Sequence, residues 1–374
     1  MNILHINSIW WRTWSAKLCE IIVDGLALHF IDSKVIVGYD FSQWKTWVTP
    51  VFSAKNNLFY TYMYKLFVWL NFVFDYMRPW SLNYDVLSNN TSYQECDIIH
   101  IHCPEWGYFN WKDLPKICKE KKVVMILGDR IYSWIDPTNY FFRKTKNSFN
   151  KRMRILSHLD INHVAISNRS ANKAKKFCWF ENITTIYNWI NPVYVQWTKD
   201  DSRKYLDLPQ DKKIIISIAW SGSKSSLKWI HYVEKIIKEY EKSEEYLFIS
   251  LWNWKEIKSQ NYWQLWLIPH EQMDHYFNSA DCFLYPSLAD NCPLVVLESL
   301  KWNCPVVTFD VGWIPELMQH QKDWYIAKFK DYKDLLQWFR RVLQHADKLI
   351  VKLNPKFTQE TMIEQYVTLY KSLL

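Results

Sequence analysis

The sequence predicts an α/β protein made of two units of similar size, each a parallel β-sheet covered by helices, with a cleft between them. Short apolar runs of four to six residues alternate with amphipathic helical patterns, which is typical of strands buried on both faces. The alternation runs through the first half of the chain and is repeated in the second half. A length of 374 residues is also natural for two domains.

The first half opens with the strand NILHI, the amphipathic helix SAKLCEIIVDGLALH and the strand KVIVGYD. Further strands are predicted at CDIIHIHC, KKVVMIL, INHVAIS and NITTIYN. The second half gives strands at KKIIISIA, YLFISL, CFLYPS and PVVTFD. Its clearest helix, LKWIHYVEKIIKEYEK, has an apolar side with helical spacing, formed by Leu227, Ile230, Val233, Ile236, Ile237 and Tyr240. The chain ends in the amphipathic helix FTQETMIEQYVTLYKSLL.

The boundary between the two units is predicted at residues 188–212, which are polar and interrupted by prolines. We therefore expect a first domain over residues 1–190 and a second over residues 191–355. The last helix, in residues 356–374, is expected to pack back on the first domain.

The aromatic stretch at residues 58–77 leaves three interpretations open. Lys65, Asn71 and Asp75 interrupt it, and because charges are costly at the centre of a bilayer, a membrane span is disfavoured. A helix packed in the first domain is favoured. An interfacial helix that contacts a membrane or a lipid-linked acceptor is the third interpretation.

Charge and cysteine content restrict the partners and the compartment. The net charge of +8 and the pI near 8.8 suit a phosphate-bearing ligand or an anionic membrane surface, whereas lysines spread along helices argue against nucleic acid. The eight cysteines show no CxxC pair and no metal-ligand spacing, which indicates free thiols in a reducing compartment. The opening MNILHINSI is typical of a strand and not of a signal peptide. We therefore expect a cytoplasmic protein.

The tryptophan content is abnormal. The chain has 23 tryptophans and 6 glycines, although glycine usually makes up about 7% of residues. The tryptophans also stand where turns and helix ends favour glycine, in SIWWRTWSAKL, YNWINP, LKWIHYV, LWNWKEI, LKWNCPVV and QKDWYIA.

We interpret many of these tryptophans as glycines in the natural protein. Some bacterial lineages read the UGA codon as glycine, and a common alternative translation table prints it as tryptophan. The alternative is a genuinely tryptophan-rich protein. UGG codons at Trp313 and Trp189 would establish that alternative.

The densest signal is NSADCFLYPSLADNCPLVVLESLKWNCPVVTFDVGWIPELM, residues 278–318. A strand over residues 282–286 runs into a loop that carries Asp290, and Pro293 opens a helix. Since the N-terminus of a helix favours anions, this stretch suits a diphosphate. Glu298 follows Asp290 by eight residues, and such a pair of carboxylates can accept hydrogen bonds from sugar hydroxyls. Taken alone, two acids at this spacing are better explained as solvated charges.

This stretch resembles the donor-site signature of the retaining GT-B glycosyltransferases of family 4, also called group 1. The signature is an acid, seven residues, Glu, a small-residue turn, PVV, an acid and GGIPE. Asp290, Glu298 and KWNCPVVTFDVGWIPE match it, and glycine at position 313 would complete DVGGIPE. With the same exchange, SIGGRTGSAKL, YNGINP, LKGIHYV and DGYIAK also match, so the resemblance spans nearly the whole chain. It implies two Rossmann-like domains with a donor cleft between them.

The resemblance also implies roles for individual residues. Glu298 would bind the ribose hydroxyls of a nucleotide sugar, Asp290 would hold the transferred sugar, and Lys228 would pair with the donor diphosphate. Asp290 stands where the family usually has Glu, so it reaches one methylene less far. The positions expected to approach the donor closely or to contact it are Trp10, Trp11, Asn291, Cys292, Pro293, Leu294, Gly312 and Trp313.

The first domain departs from the family pattern. His102 is kept, but Glu105 stands where a histidine is expected, and Gly128 replaces histidine in the turn that Asp129 completes. His102, Glu105 and Asp129 are the candidate acceptor-side residues. Altered acceptor chemistry or lost activity both stay open.

The resemblance implies a glycosyltransferase that needs no metal and no cofactor. It would move a sugar from a nucleotide-sugar donor to a glycan, lipid-linked or other acceptor, during synthesis of cell-surface polysaccharide or glycolipid on the cytoplasmic side. Two alternatives stay open: a nucleotide-sugar epimerase on the same fold, and a catalytically impaired protein that binds sugar nucleotides.

Overall fold

A computed structural model gives the structure of residues 1–10, 14–40, 48–53, 82–102, 109, 111–127, 150–151, 153–190, 197–218, 230–251, 256–266, 268–288, 290, 293–317, 325–345 and 354–374. The chain divides into two compact units, one of residues 1–187 and 360–374 and the other of residues 188–359. The boundaries expected from the sequence, at residues 190 and 355, stand a few residues from these divisions.

The first unit is built on a seven-stranded parallel sheet in the order β3-β2-β1-β4-β5-β6-β7. Its strands are β1 Asn2–Trp10, β2 Asp32–Asp40, β3 Val48–Ser53, β4 Ile98–His102, β5 Lys122–Ile126, β6 Ile161–Ala165 and β7 Ile183–Thr185. Every residue of β4 is buried, as expected for a central strand with helices on both faces. The strand order reverses between β1 and β4, and ligands of such sheets bind beyond the carboxyl ends at that reversal.

Short helices join these strands. They are α1 Trp14–Leu28, α2 Tyr84–Ser88, α3 Thr91–Glu95, α4 Leu114–Glu120 and α5 Asn168–Cys178. Ser167 caps α5, because its hydroxyl accepts a hydrogen bond from the Ser170 amide at 3.0 Å. The helix ends at Trp179, whose backbone is left-handed with φ of 58°. That conformation is the one glycine adopts most readily at a helix C-terminus.

The second unit repeats the same plan. Its strands are β8 Lys213–Ile218, β9 Tyr246–Leu251, β10 Ile257–Lys258, β11 Tyr262–Gln264, β12 Cys282–Tyr285, β13 Val306–Phe309 and β14 Tyr325–Ala327. They form the order β10-β11-β9-β8-β12-β13-β14, parallel except for the β10–β11 pair. The strand order therefore reverses between β8 and β12.

The helices of the second unit are α6 Lys199–Tyr205, α7 Ile230–Glu239, α8 His270–Ser279, α9 Leu294–Lys301, α10 Ile314–Leu317 and α11 Tyr332–His345. A reciprocal capping box starts α6: the hydroxyl of Thr198 accepts from the amide of Asp201, whose carboxylate accepts from the amide of Thr198. The side chains of β8 and β9 beyond their first residues are buried, and they form the centre of this core.

The last helix, α12 Gln359–Lys371, lies almost entirely in the first unit. Gly25 of α1 lies so close to it that a Cβ atom at position 25 would stand 2.6 Å from Cδ1 of Ile363. The glycine therefore permits close packing of α1 on α12.

Among the helices that the structure describes, none combines the length and the apolar composition that a membrane crossing requires. Residues 58–77 lie outside the described part of the chain.

Candidate active site

The candidate donor residues are grouped by the topology of the second sheet. Asp290 follows the carboxyl end of β12, and Gly312 follows that of β13. Lys228 comes after the end of β8 in the sequence, although it lies outside the described residues. Because parallel strands end at the same edge of a sheet, the strand ends beside the β8–β12 reversal form the expected ligand position.

Tyr285, the last residue of β12, holds Asp290. The hydroxyl of Tyr285 donates a hydrogen bond to Oδ2 of Asp290 at 2.5 Å. The tyrosine is itself fixed, since it is 7% exposed and its ring stacks on Phe283 at a centroid distance of 5.3 Å. Asp290 is only partly buried. The strand end therefore orients a carboxylate that stays accessible to a ligand.

The helix after this loop begins one residue later than expected. Pro293 is the residue before α9 and has an extended backbone, with φ of −72° and ψ of 90°, and Leu294 is the first helical residue. The initial amides of a helix have no partner within the helix, so this end suits anionic groups. Pro293 is buried and Leu294 is partly buried.

Glu298 lies in the second turn of α9 and is partly buried. Its neighbours Val296, Leu297, Ser299 and Leu300 are buried and fix the helix on the core. Ser299 also donates a hydrogen bond to the carbonyl oxygen of Cys304 at 2.8 Å, which ties the helix to the turn that follows. Glu298 is therefore presented from a firmly anchored helix.

Gly312 and Trp313 have different roles in the structure. Gly312 has φ of 54° and makes the left-handed turn after β13. The side chain of Trp313 is fully buried, with its ring centroid 6.1 Å from that of Phe357. α10 then begins at Ile314. Trp313 thus fills space in the second unit, where the resemblance implied a glycine.

An ion-pair network anchors the amino end of β12. Oδ2 of Asp281 accepts hydrogen bonds from the backbone amide of Ile214 at 2.7 Å and from Nη2 of Arg203 at 2.8 Å. Its other oxygen pairs with Lys199. Arg203 donates further to the carbonyl oxygens of Ser279 and Gln210, each at 3.1 Å. The network fixes α6, β8 and β12 together, although none of its members lies at the carboxyl ends.

In the first unit, His102 lies at the end of β4 and belongs to a buried cluster. Nδ1 of His5 lies 3.0 Å from Nε2 of His102, and the hydroxyl of Tyr370 lies 2.5 Å from Nδ1 of His100. Burial lowers the pKa of His5 to about 3 and holds the pKa values of His100 and His102 well below their usual range. The imidazoles are therefore neutral, and His102 faces protein groups.

The other candidate residues fall partly outside the described chain. Trp10 is the last residue of β1, where its backbone pairs with Asp40 of β2, and its side chain is not described. The candidates that lie wholly outside the described residues are Lys228, Trp11, Asn291, Cys292, Glu105 and Asp129. Their roles remain predictions.

Sequence reasoning missed two sets of site residues. Tyr285 has a signal, since it closes a buried strand five residues before Asp290, but its partner depends on the path of the loop. The buried histidines also have a sequence signal. Alternate residues of a strand share a face, so the HIH of β4 places His100 and His102 together. His5 joins them because β1 pairs with β4.

Residues 242–359 match the family model described as glycosyl transferases group 1. A protein of Bacillus subtilis (strain 168), assigned by name to teichuronic acid biosynthesis as the glycosyltransferase TuaC, is 27% identical over 168 residues. That match covers 42% of this chain and 41% of the relative. The amylovoran biosynthesis glycosyltransferase AmsK of Erwinia amylovora is 30% identical over 112 residues, or 28% of this chain and 27% of the relative. The chain thus spans less than half the length of these two relatives.

Among solved structures, HepE of Anabaena in complex with UDP superposes with a TM-score of 0.68 at 14% identity, over 100% of both chains. Sucrose-phosphate synthase of Thermosynechococcus elongatus superposes with a TM-score of 0.66 at 13% identity, over 100% of this chain and 99% of that one. At these identities the likeness concerns the fold. The chain therefore has the GT-B glycosyltransferase fold, and its second unit contains a segment that matches the group 1 glycosyl transferases.

Proposed function

We propose that the chain is a glycosyltransferase that moves a sugar from a nucleotide-sugar donor to a glycan or lipid-linked acceptor during synthesis of a cell-surface polysaccharide or glycolipid. The observation that carries the proposal is the carboxylate of Asp290, which Tyr285 holds directly before the N-terminus of α9. Asp290 and Glu298 both fall within the segment matched by the group 1 family. HepE of Anabaena has been solved in complex with UDP, which supports a nucleotide-sugar donor.

In the proposed reaction the second unit binds the donor. Glu298 accepts hydrogen bonds from the ribose hydroxyls, and Asp290 accepts from hydroxyls of the transferred sugar. The N-terminus of α9 and Lys228 offset the negative charge that grows on the departing diphosphate. In this arrangement protein groups offset the negative charge of the diphosphate, so we propose a reaction that is independent of metal and cofactor. We also propose that the reaction retains the anomeric configuration of the donor sugar.

The acceptor is proposed to enter from the first unit, beside His102, Glu105 and Asp129. The relatives named for teichuronic acid and amylovoran biosynthesis support a polysaccharide acceptor. A peripheral membrane contact through residues 58–77, on the cytoplasmic side, would suit a lipid-linked acceptor. The epimerase and binding-protein alternatives gain no support, because the relatives reported above are named as glycosyltransferases.

The proposal is tested by donor turnover with a panel of UDP- and GDP-sugars and a mixture of glycan and lipid-linked acceptors. Two versions of the chain, one as printed and one with glycine at the suspect tryptophan positions, are assayed side by side. Glu298→Gln and Asp290→Asn are expected to lower kcat/KM by at least tenfold, because each removes a charged hydrogen-bond acceptor worth about 1.5–3 kcal/mol. Glu234→Gln, at an exposed position of α7, is the matched control.

Each outcome separates the alternatives. Transfer to an acceptor with a product anomer that matches the donor, as read by nuclear magnetic resonance, supports a retaining transferase. Interconversion of the free nucleotide sugar without acceptor supports the epimerase. Binding of donor, seen as thermal stabilisation, without turnover in either version supports the binding protein.

A further inference from the structure

The buried histidines of the first unit form a cluster with Cys19 that the proposed donor chemistry does not use. His5, His102 and Cys19 each offer one ligand atom, and these atoms lie within 4.8 Å of one another. All three side chains are fully buried, with no measurable exposure. His100 adjoins the cluster, with its ring centroid 4.2 Å from that of His102 and 5.1 Å from that of His5.

The sequence explains why these residues meet. β1 and β4 are parallel neighbours, and His5 pairs in register with His100. Since paired residues and alternate residues of a strand share a face, His5, His100 and His102 all lie on the same side of the sheet. The helix α1 follows β1 and covers this side with Cys19, which the N-terminal half of that helix supplies.

Two ring nitrogens in and beside this cluster have no hydrogen-bond partner among the described residues. His5 and His102 share one contact of 3.0 Å, and His100 uses Nδ1 for the hydroxyl of Tyr370. Nε2 of His5 and Nε2 of His100 are both buried and have no hydrogen-bond partner among the described residues. Buried polar atoms without a partner are costly, so the cluster is better suited to a ligand than to the core of an apolar fold.

We propose that His5, His102 and Cys19 bind a structural divalent metal ion of the zinc type in the first unit, with His100 as the fourth ligand or its neighbour. Two imidazole nitrogens and one thiolate are typical zinc ligands. Zinc–nitrogen bonds of about 2.0 Å and zinc–sulfur bonds of about 2.3 Å place the ligand atoms of a tetrahedral site roughly 3.3–3.6 Å apart. Nδ1 of His5 and Nε2 of His102 lie 3.0 Å apart, and the ligand atoms of His5, His102 and Cys19 all lie within 4.8 Å of one another, so small side-chain shifts would bring them to these separations.

Tyr370 contributes to the site from the second layer. A hydrogen bond to one ring nitrogen of a histidine fixes the ring and determines which nitrogen can bind metal. When Nδ1 of His100 donates to the phenol oxygen, Nε2 carries the lone pair. The metal would therefore connect β1, β4 and α1, and through Tyr370 also α12. This role is structural, and it is separate from the metal-independent donor chemistry proposed for the second unit.

The test uses the full-length chain, purified by gel filtration, with its metal content measured by mass spectrometry. We expect about one zinc per chain. After exchange with cobalt, we expect the charge-transfer absorption of a cobalt–thiolate bond. Cys19→Ala should lose that absorption and retain less than about one tenth of the metal. Cys178→Ala is the matched control, because Cys178 is a buried cysteine of the same unit that packs in an apolar cluster.

His5→Gln is a second variant in case the cysteine variant folds poorly, and circular dichroism shows whether each variant is folded. Chelation should lower the melting temperature of the parent chain and of Cys178→Ala, and it should leave folded Cys19→Ala unchanged. A folded parent chain that contains no stoichiometric metal, takes up no cobalt at its thiolate and melts unchanged on chelation would overturn the proposal. Equal metal content in Cys19→Ala, His5→Gln and the parent chain would also overturn it.

Discussion

The hydroxyl of Tyr285 lies 2.5 Å from Oδ2 of Asp290, so the last residue of a buried strand holds the first acid of the loop that follows. Oδ2 of Asp290 therefore accepts a hydrogen bond from within the protein. The geometry of the proposed sugar-binding carboxylate therefore depends on a residue that does not belong to the motif of the resemblance.

Tyr285→Phe removes this hydrogen bond and keeps the ring that stacks on Phe283. We expect kcat/KM for the donor sugar to fall by about tenfold, because a hydrogen bond to a charged group contributes about 1.5–3 kcal/mol. The melting temperature should change little, since the apolar packing is kept. Steady-state donor turnover and a thermal melt measure the two quantities. Tyr246→Phe, at the amino end of β9, is the control, and an equal loss of turnover there would contradict the assignment.

The regular elements of the core could be predicted from the sequence because buried strands and helices need apolar side chains at regular spacings, and these spacings can be read from the sequence. The strand over residues 246–251 has the predicted bounds, and six consecutive apolar or small residues leave little choice. β3, in contrast, was not predicted, since its run contains Pro50, and proline cannot donate a hydrogen bond to a neighbouring strand. The helix α11 was missed as well, although its buried residues Leu335, Phe339, Val342 and Leu343 have the same helical spacing that predicts α7.

The site could be predicted only where sequence neighbours determine it. The loop with Asp290, the helix after it and Glu298 on that helix follow one another along the chain, so their order can be read from the sequence. The hydrogen bond from Tyr285 to Asp290, in contrast, depends on the conformation of the loop. The left-handed residue after α9 shows the same limit. The pattern pointed to Trp302, yet Trp302 has φ of −98° and the left-handed residue is Asn303, with φ of 58°. Only the hydrogen bonds at the helix end decide between two adjacent positions.

Asp281→Asn should destabilise the second unit. The substitution weakens an acceptor of the buried Arg203 and of the backbone amide of Ile214. Breaking a buried ion pair by changing one partner costs about 3–5 kcal/mol, and we expect the lower end of this range because the Asp281 side chain is 15% exposed. Urea unfolding measures this loss in the free energy of unfolding of the second unit. Glu256→Gln breaks an exposed pair with Lys258, and it should change the free energy of unfolding by less than about 0.5 kcal/mol.

Gly25→Ala should destabilise the packing of α1 on the last helix. The added Cβ would lie 2.6 Å from both Cγ1 and Cδ1 of Ile363, and overpacking of this kind costs about 1–3 kcal/mol. The double variant with Ile363→Ala should lose less stability than the sum of the two single variants, because the alanine at position 363 makes room for the new methyl group. Strict additivity in thermal or urea unfolding would show that the two helices do not meet as described.

Low pH should destabilise the first unit through His163. This residue of β6 is 2% exposed and stacked on Phe180, and burial lowers its pKa to about 4. In the unfolded chain His163 binds a proton as the pH falls below about 6.5. In the folded chain its imidazole stays neutral at that pH. The unfolded state then binds more protons, so the free energy of unfolding falls with falling pH, by up to about 1.4 kcal/mol per unit.

Urea unfolding between pH 6.5 and pH 4 compares the parent chain with His163→Gln. The variant should lose about 3 kcal/mol less over this range, since the other buried histidines are the same in both chains. His158→Gln, at an exposed position of the same unit, is the control. Parallel profiles for the parent chain and His163→Gln would show that His163 takes up its proton in the folded protein.

Trp179 provides a structural test of the hypothesis that some tryptophans stand in place of glycines. Its backbone is left-handed, with φ of 58°, directly after α5. A side chain in this conformation costs about 1–2 kcal/mol, whereas glycine adopts it readily and loses somewhat more chain entropy on folding. Trp179→Gly should therefore be more stable than Trp179→Ala by about 1 kcal/mol, because both variants lose the same ring and its contact with Arg154.

Trp302 gives the opposite expectation at a second helix end. Its φ of −98° suits any L-residue, so Trp302→Gly should be less stable than Trp302→Ala by about 0.5–1 kcal/mol. Both variants lose the hydrogen bond from Nε1 to Asp274, and the comparison between them isolates the backbone. Thermal unfolding of the four variants measures the reversal of sign. If glycine is the less stable choice at both positions, the backbone gives no reason to place glycine at position 179, and the codons alone would have to support the hypothesis.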